Sequence, residues 1–122
     1  MAKYLVLIYG DEQQWEALTP EEQSANHAGH QTFTSAAGPR IVGGEELEPS
    51  STTTTLRRTS AGDVSVTDGP FLETKEVLGG YYAVEADDLD EVIALARQLP
   101  ELSMSHNAVE IRPVVDHSTS MP

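Results

Sequence analysis

Two segments of the chain predict strands that are apolar on both faces, and this feature constrains the fold most. They are residues 3–9 and 77–85. In the first, alternate side chains are apolar on both sides: Tyr4, Val6 and Ile8 on one, and Leu5, Leu7 and Tyr9 on the other. A strand of this kind is central in its sheet and has to be covered on both faces. The fold therefore needs a covering layer on each side of the sheet.

Two helices are predicted. Thr19-Pro20-Glu21-Glu22 is typical of a capping box with proline at the first helical position, and the helix runs to about Ala37, where Gly38-Pro39 ends it. The apolar stripe of this first helix is thin: Ala25, Ala28, Thr32, Phe33 and Ala36. Asp87-Asp88 caps the second helix, which ends at Pro100 and has apolar residues at helical spacing: Leu89, Val92, Ile93, Ala96 and Leu99. Two helices cover only one face of a sheet.

The remaining patterns complete an α+β fold. Short strands are predicted over residues 40–44 and 107–115, and a β-hairpin over residues 52–58 and 64–67. The order contains two ferredoxin-like β-α-β halves with an inserted β-hairpin. We expect a single domain over residues 1–116 and a disordered tail over residues 117–122.

The uncovered sheet face predicts a partner. The simplest cover is the sheet of an identical chain, which would form a homodimer and a dimeric α+β barrel. The alternative is a ligand lying on that face of a monomer.

The charge excludes some partners. Twenty acidic and seven basic residues give a net charge of -13, so the mean field repels phosphate backbones and anionic lipids. We therefore expect neither nucleic acid nor a membrane as a partner. The absence of cysteine excludes disulfides and thiolate nucleophiles, and it favours a cytoplasmic location.

Two histidines of the first helix are candidates for chemistry. His27 and His30 are three residues apart, which permits shared metal binding, but a helical wheel directs His27 to the solvent side. We expect no metal. His30 lies at the edge of the apolar stripe, where an imidazole can hold one nitrogen on a partner and offer the other to a ligand. The alternative is a partly buried histidine whose only role is to bond a backbone carbonyl.

The second candidate is the turn Asp68-Gly69-Pro70. Gly69 allows a backbone conformation that other residues avoid, and Pro70 fixes the turn. The Asp68 carboxylate then lies at the mouth of the hairpin, where it either accepts backbone N–H bonds or faces a pocket. Taken alone, such an aspartate is a turn former.

The run Thr67-Asp68-Gly69-Pro70-Phe71-Leu72-Glu73-Thr74-Lys75-Glu76, followed by Leu78-Gly79-Gly80-Tyr81-Tyr82, resembles the YCII-related family, in the subgroup named for its DGPF motif. Similar segments are found from Lys3 to Val115. The resemblance implies a dimeric α+β barrel of ferredoxin-like subunits and a His–Asp pair in a cleft. That pair falls on His30 and Asp68 of this chain.

Two classes of function follow. In the first, the protein is an enzyme without a cofactor, and His30 is the general acid or base for isomerisation or hydrolysis of a small metabolite. Asp68 orients the imidazole, and Tyr9, Tyr81 or Arg112 binds the oxygens of the substrate. In the second, the protein is a non-catalytic, ligand-sensing or protein-binding dimer. The family resemblance implies an association with alternative sigma factors, and an acidic surface suits a basic protein partner. A third interpretation gives His30 and Asp68 a structural role only.

Overall fold

The computed structural model describes residues 1–118. Its strands are β1 (Ala2–Asp11), β2 (Ile41–Glu46), β3 (Thr54–Arg58), β4 (Val64–Asp68), β5 (Glu76–Ala86) and β6 (Asn107–Pro113). Its α-helices are α1 (Glu12–Glu16), α2 (Pro20–Ala37) and α3 (Leu89–Ala96), and three short 3-10 helices cover Gly38–Arg40, Ser50–Thr52 and Pro100–Ser103. In the part of the chain that is described, no helix is both long enough and apolar enough to cross a membrane.

The strands form two sheets. Four of them make an antiparallel sheet in the order β2-β5-β1-β6, and β3 and β4 form a separate hairpin inserted between β2 and β5. The predicted α+β class is confirmed, and the strand order is compatible with a ferredoxin-like fold. The two strands predicted to be central, β1 and β5, are the two inner strands of the sheet.

The core lies on one face of this sheet. Side chains of β1 and β5 pack there against α2 and α3, and the largest fully buried members are Val6, Phe33, Val84 and Val92. Burial of these groups stabilises the fold by about 1.5–3 kcal/mol for each large side chain. We call this the covered face.

The opposite face of the sheet is open. Leu5 and Leu7 of β1 alternate with the core residues, and their pairing partners Ala83 and Tyr81 place β5 side chains beside them. These four side chains are only partly buried, and α2 and α3 lie on the other side. The predicted dimer would cover this open face, and that dimer stays a prediction.

Helix α2 begins and ends as predicted, with a different buried stripe. Thr19 Oγ1 accepts a hydrogen bond from Glu22 N–H at 3.1 Å, and the Glu22 carboxylate accepts one from Thr19 N–H at 2.9 Å, which completes the capping box. Only Phe33 of the predicted stripe is buried, because the helix is turned so that His30, Phe33 and Ala37 face the sheet. His30 is therefore on the core side of the helix.

Other differences are local. The segment before α2, for which no helix was predicted, contains α1, whose N-cap is Asp11 through a bond from Gln13 N–H at 2.9 Å. Helix α3 ends at Ala96, and Leu99 is nevertheless buried by the turn that follows. Of the predicted tail, residues 119–122 lie outside the described residues.

Candidate functional site

A cleft of about 770 Å³ lies beside α2, between that helix, α1 and the β2-β5 edge of the sheet. Its wall combines acidic, aromatic and amide side chains. The residues that line it include Glu12, Trp15, Glu16, His30, Glu45, Glu46, Glu48, Tyr81, Tyr82, Glu101 and Asn107.

His30 is bonded at both ring nitrogens. Nδ1 lies 2.7 Å from the hydroxyl of Tyr82, and Nε2 lies 2.7 Å from Oε2 of Glu101. A carboxylate can only accept, so Nε2 carries a proton, and in the neutral ring Nδ1 accepts from the Tyr82 hydroxyl. The imidazole side chain is 22 % exposed and that of Glu101 is 9 % exposed. The imidazole is therefore fixed between a buried carboxylate and a phenol.

The contact between α2 and Pro100 brings Glu101 to His30. A Cβ atom on Gly29 would lie 2.7 Å from Cβ of Pro100, so only glycine allows this close approach. The 3-10 helix Pro100–Ser103 packs on α2 at this point and begins one residue before Glu101. One glycine in the helix thus sets the distance from the carboxylate to the imidazole.

Tyr82 belongs both to the core and to the cleft. Its ring lies 4.8 Å from that of Phe33 between centroids, and its hydroxyl reaches His30. Burial raises the pKa of Tyr82 above its usual range, and the charges of Glu101 and Glu46 raise it further. The hydroxyl consequently stays protonated, and it can form hydrogen bonds to His30 and to a ligand at the same time.

A second hydrogen-bonded pair supports Glu101 from the other side. Trp15 Nε1–H donates to Oδ1 of Asn107 at 2.8 Å, and Nδ2 of Asn107 donates to the backbone carbonyl of Glu101 at 3.0 Å. A Cβ atom on Gly79 would lie 2.5 Å from the Trp15 ring, so the missing side chain provides the space for the indole. The indole and the carboxylate are held in one connected network.

Asp68, the predicted partner of His30, is elsewhere. It is exposed at the end of β4 in the hairpin, where it pairs with Thr54. The turn after it is closed by Gly69 N–H donating to Thr53 O at 2.7 Å and by Thr55 Oγ1–H donating to Gly69 O at 2.6 Å. Gly69 has a φ of +98°, the conformation for which glycine was expected. The predicted His30–Asp68 pair is not formed within this chain, since His30 is bonded to Glu101 and Tyr82.

The predicted substrate-binding residues are divided between the two faces of the sheet. Tyr81 is among the residues that line the cleft, although its pairing with Leu7 directs its side chain to the open face. Tyr9 and Arg112 lie on the open face. Desolvation and Glu110 raise the pKa of Tyr9, and Arg112 opposes that effect.

Sequence reasoning missed Glu101 and Tyr82, the two groups that contact His30. Glu101 lies 71 positions from His30 and Tyr82 lies 52 positions from it, so no local motif joins them. A signal existed for Glu101 alone: it follows Pro100, which marks a turn, and a carboxylate at a buried turn requires a partner. Tyr82 differs from Tyr81 only in the face of β5 on which it lies, and the register shift at Gly79 of β5, opposite Ile8 and Tyr9, obscures that alternation.

Comparison with known proteins agrees with the resemblance stated above. The family model of the YCII-related domain matches residues 2–118. An uncharacterised protein of Rhizobium meliloti (strain 1021) is 37% identical over 114 residues, which cover 91% of this chain and 90% of that protein. Both matches extend over nearly the whole chain, and the family match includes the hairpin and the cleft residues. The chain belongs to the YCII-related family.

Proposed function

We propose that the protein is a cofactor-independent enzyme that uses His30 for acid/base chemistry on a small metabolite, in an isomerase or hydrolase type of reaction. The observation that supports this proposal best is the bridging of His30 between Glu101 and Tyr82 at the wall of a cleft. A positioned imidazole whose orientation is fixed by a carboxylate is the usual arrangement for proton transfer.

The arrangement has two states. With neutral His30, the Tyr82 O–H donates to Nδ1, and the phenol oxygen is free to accept a hydrogen bond from a substrate. With protonated His30, Nδ1–H donates to the phenol oxygen, and the Tyr82 O–H is free to donate to a substrate. Passage from one state to the other moves a proton between the substrate and the imidazole through the hydroxyl. Glu101 stabilises the charged imidazole.

The other predicted site residues take separate roles in this proposal. Tyr81 stays a predicted substrate-binding residue: it borders the cleft, but its side chain is on the open face. Tyr9 and Arg112 lie on the open face, and we assign them to the contact between two subunits of a homodimer. Asp68 stays a predicted site residue whose carboxylate is exposed in the hairpin of a single chain.

Proton exchange with solvent tests the proposal without knowledge of the reaction. The protein is incubated in D2O with a library of small carbonyl compounds and lactones, and NMR detects loss of carbon-bound hydrogen or formation of product. We expect at least one compound to exchange or react. His30→Ala and Tyr82→Phe should each lower that rate by about 10² to 10⁴-fold, because either change interrupts the proton path.

His117→Ala is the matched control, because it removes an exposed imidazole outside the cleft. Its rate should equal that of the wild type. A reaction that survives His30→Ala contradicts the proposal. So does a set of compounds that bind in the cleft without any exchange or turnover.

One observation supports a second candidate, a non-catalytic dimer that binds a protein partner. Leu56 and Val66 face each other across the hairpin and are 62% and 65% exposed, and Val64 lies beside them. Contiguous exposed apolar side chains are typical of an interaction surface. Replacement of Leu56 and Val66 by threonine should abolish partner binding in this case and leave proton exchange unchanged.

A further inference from the structure

The lining of the cleft is predominantly acidic, and among the described residues its only basic side chains are His27 and His30. It includes six glutamates, and among the described residues no lysine or arginine lines the cleft. The six are Glu12, Glu16, Glu45, Glu46, Glu48 and Glu101. Glu12 is engaged by the backbone N–H and the hydroxyl of Ser50. A concave wall lined mainly by one charge concentrates ligands of the opposite charge.

Two of these carboxylates influence the hydroxyl of Tyr82. The negative charges of Glu46 and Glu101 both raise the pKa of Tyr82, so both act on its phenol hydroxyl. Glu46 is at the end of β2, and its register partner is Gly80, so the two carboxylates come from different elements. A positive charge beside that hydroxyl would interact favourably with both of them.

Glu101 has unused hydrogen-bonding capacity. The residue is 7% exposed, and its Oε1 atom is buried without a hydrogen-bond partner in the described part of the chain. Its other oxygen, Oε2, is bonded to His30. A buried carboxylate oxygen with no partner costs about 1–3 kcal/mol. The cleft wall therefore contains an anionic group that is incompletely compensated by the protein.

The aromatic side chains of the cleft suit the same kind of ligand. Trp15 and Tyr82 both line the cleft, and each ring is held by hydrogen bonding through its polar atom, to Asn107 and to His30. Aromatic faces attract organic cations, and tryptophan does so most strongly. Among residues 1–118, no group of three or more His, Asp or Glu side chains is placed to hold a metal ion. The field thus suits an organic cation better than a metal.

We infer that the cleft binds a small amine-bearing organic cation, with its ammonium group near Glu46 and Glu101 and its apolar body against Trp15. This inference rests on the proposed function, since it names the class of substrate that the His30 site would receive. The glutamates of the wall weaken the binding of anions of the same size.

Trp15 gives a direct readout, because it is the single tryptophan of the sequence and lines the cleft. The full chain is titrated with three probes of similar size: phenethylamine, 2-phenylethanol and 3-phenylpropionate. Trp15 fluorescence should respond to phenethylamine with a dissociation constant at least tenfold lower than that for 3-phenylpropionate, with the alcohol between them. Added salt should weaken the binding of the amine.

Glu46→Gln should weaken phenethylamine binding about fivefold, the factor that a unit charge at about 4 Å gives in water. Glu73→Gln is the matched control, since it removes the same charge from an exposed position outside the cleft lining, and it should leave the binding unchanged. Glu48→Gln repeats the test if Glu46→Gln does not fold. Equal affinity for the three probes, a preference for the anion, no saturable response to the amine, or equal effects of the cleft and control variants would overturn the inference.

The two claims fail separately. If the amine preference is absent while proton exchange depends on His30, only the ligand class is wrong. If the amine preference is found while His30→Ala leaves exchange unchanged, the ligand class stands and the acid/base function is wrong.

Discussion

The two faces of the four-stranded sheet are built from the same strands, but only one of them is covered within a single chain. On the covered face, Val6 and Val84 are fully buried and Tyr82 has a hydrogen-bond partner. On the open face, Leu7 and Tyr81 of the same strands are only partly buried. Alternation along β1 and β5 thus separates a site that one chain completes from a surface that requires a second molecule.

The largest expected effect is on the dissociation constant of the proposed homodimer, when a charge is placed on the open face. Leu7→Asp puts a carboxylate between Tyr81 and Glu110, its neighbours in the sheet. In the proposed homodimer each copy would bury this charge, so the dissociation constant should rise by about 100-fold or more. Analytical ultracentrifugation measures it.

Val115→Asp makes the same substitution at a residue that is 69% exposed and lies after β6. It should leave the assembly unchanged. A wild-type protein that sediments as a monomer, or a Leu7→Asp dimer with an unaltered dissociation constant, would contradict the proposed homodimer.

A smaller effect, on the free energy of unfolding, is expected at Gly29 of helix α2, which packs on the covered face. Alanine favours a helix by about 1 kcal/mol over glycine, but here its Cβ would overlap Pro100 at 2.7 Å. We therefore expect Gly29→Ala to lower the free energy of unfolding by about 1–3 kcal/mol and to displace Glu101 from His30. Urea denaturation measures the first effect.

Ser35→Ala, at an exposed position of the same helix, is the comparison. It should change the free energy of unfolding by no more than about 0.5 kcal/mol. A Gly29→Ala protein more stable than the wild type would show that the α2–Pro100 contact does not hold the turn.

The smallest effect concerns the ionisation of Tyr82. Its pKa is raised, so the folded protein retains this proton at a pH where the unfolded chain has begun to lose it. The contribution of Tyr82 to the free energy of unfolding should be fully present below the pKa of tyrosine in the unfolded chain, about 10. It should be lost as the pH rises from there through the higher pKa of the folded protein. Tyr82→Phe should reduce that loss.

The ultraviolet titration of phenolate gives the same information directly. The sequence has four tyrosines, and Tyr82→Phe should remove one that titrates late. If the variant instead loses a phenol that titrates at the usual pH, the burial and the negative field assigned to Tyr82 are wrong.

Local signals predicted most of the fold. The capping box at Thr19 and the aspartate before Leu89 predicted where α2 and α3 begin, because a helix cap depends on residues that are neighbours in sequence. The two segments with apolar residues on both faces were correctly predicted to be the inner strands of the sheet. The short helix at Glu12–Glu16 was missed, since five residues carry no detectable period.

The site was predicted only in part. His30 was singled out by its place at the edge of a helix stripe, and it lines the cleft. Its partners come from β5 and from the turn at Pro100, and no local pattern carries such distant pairings. The motif at Asp68 is prominent in sequence because its turn needs glycine and proline, and within one chain those residues shape the hairpin.

The most direct test of the central claim is the imidazole ¹⁵N spectrum of His30, assigned by its loss in His30→Ala. We predict that Nε2 of His30 carries a proton, because it lies 2.7 Å from the Glu101 carboxylate. Glu101→Gln should shift both ring nitrogens, and Asp68→Ala should leave them unchanged. A His30 spectrum that is indifferent to Glu101→Gln but altered by Asp68→Ala would contradict the pairing on which the proposed chemistry depends.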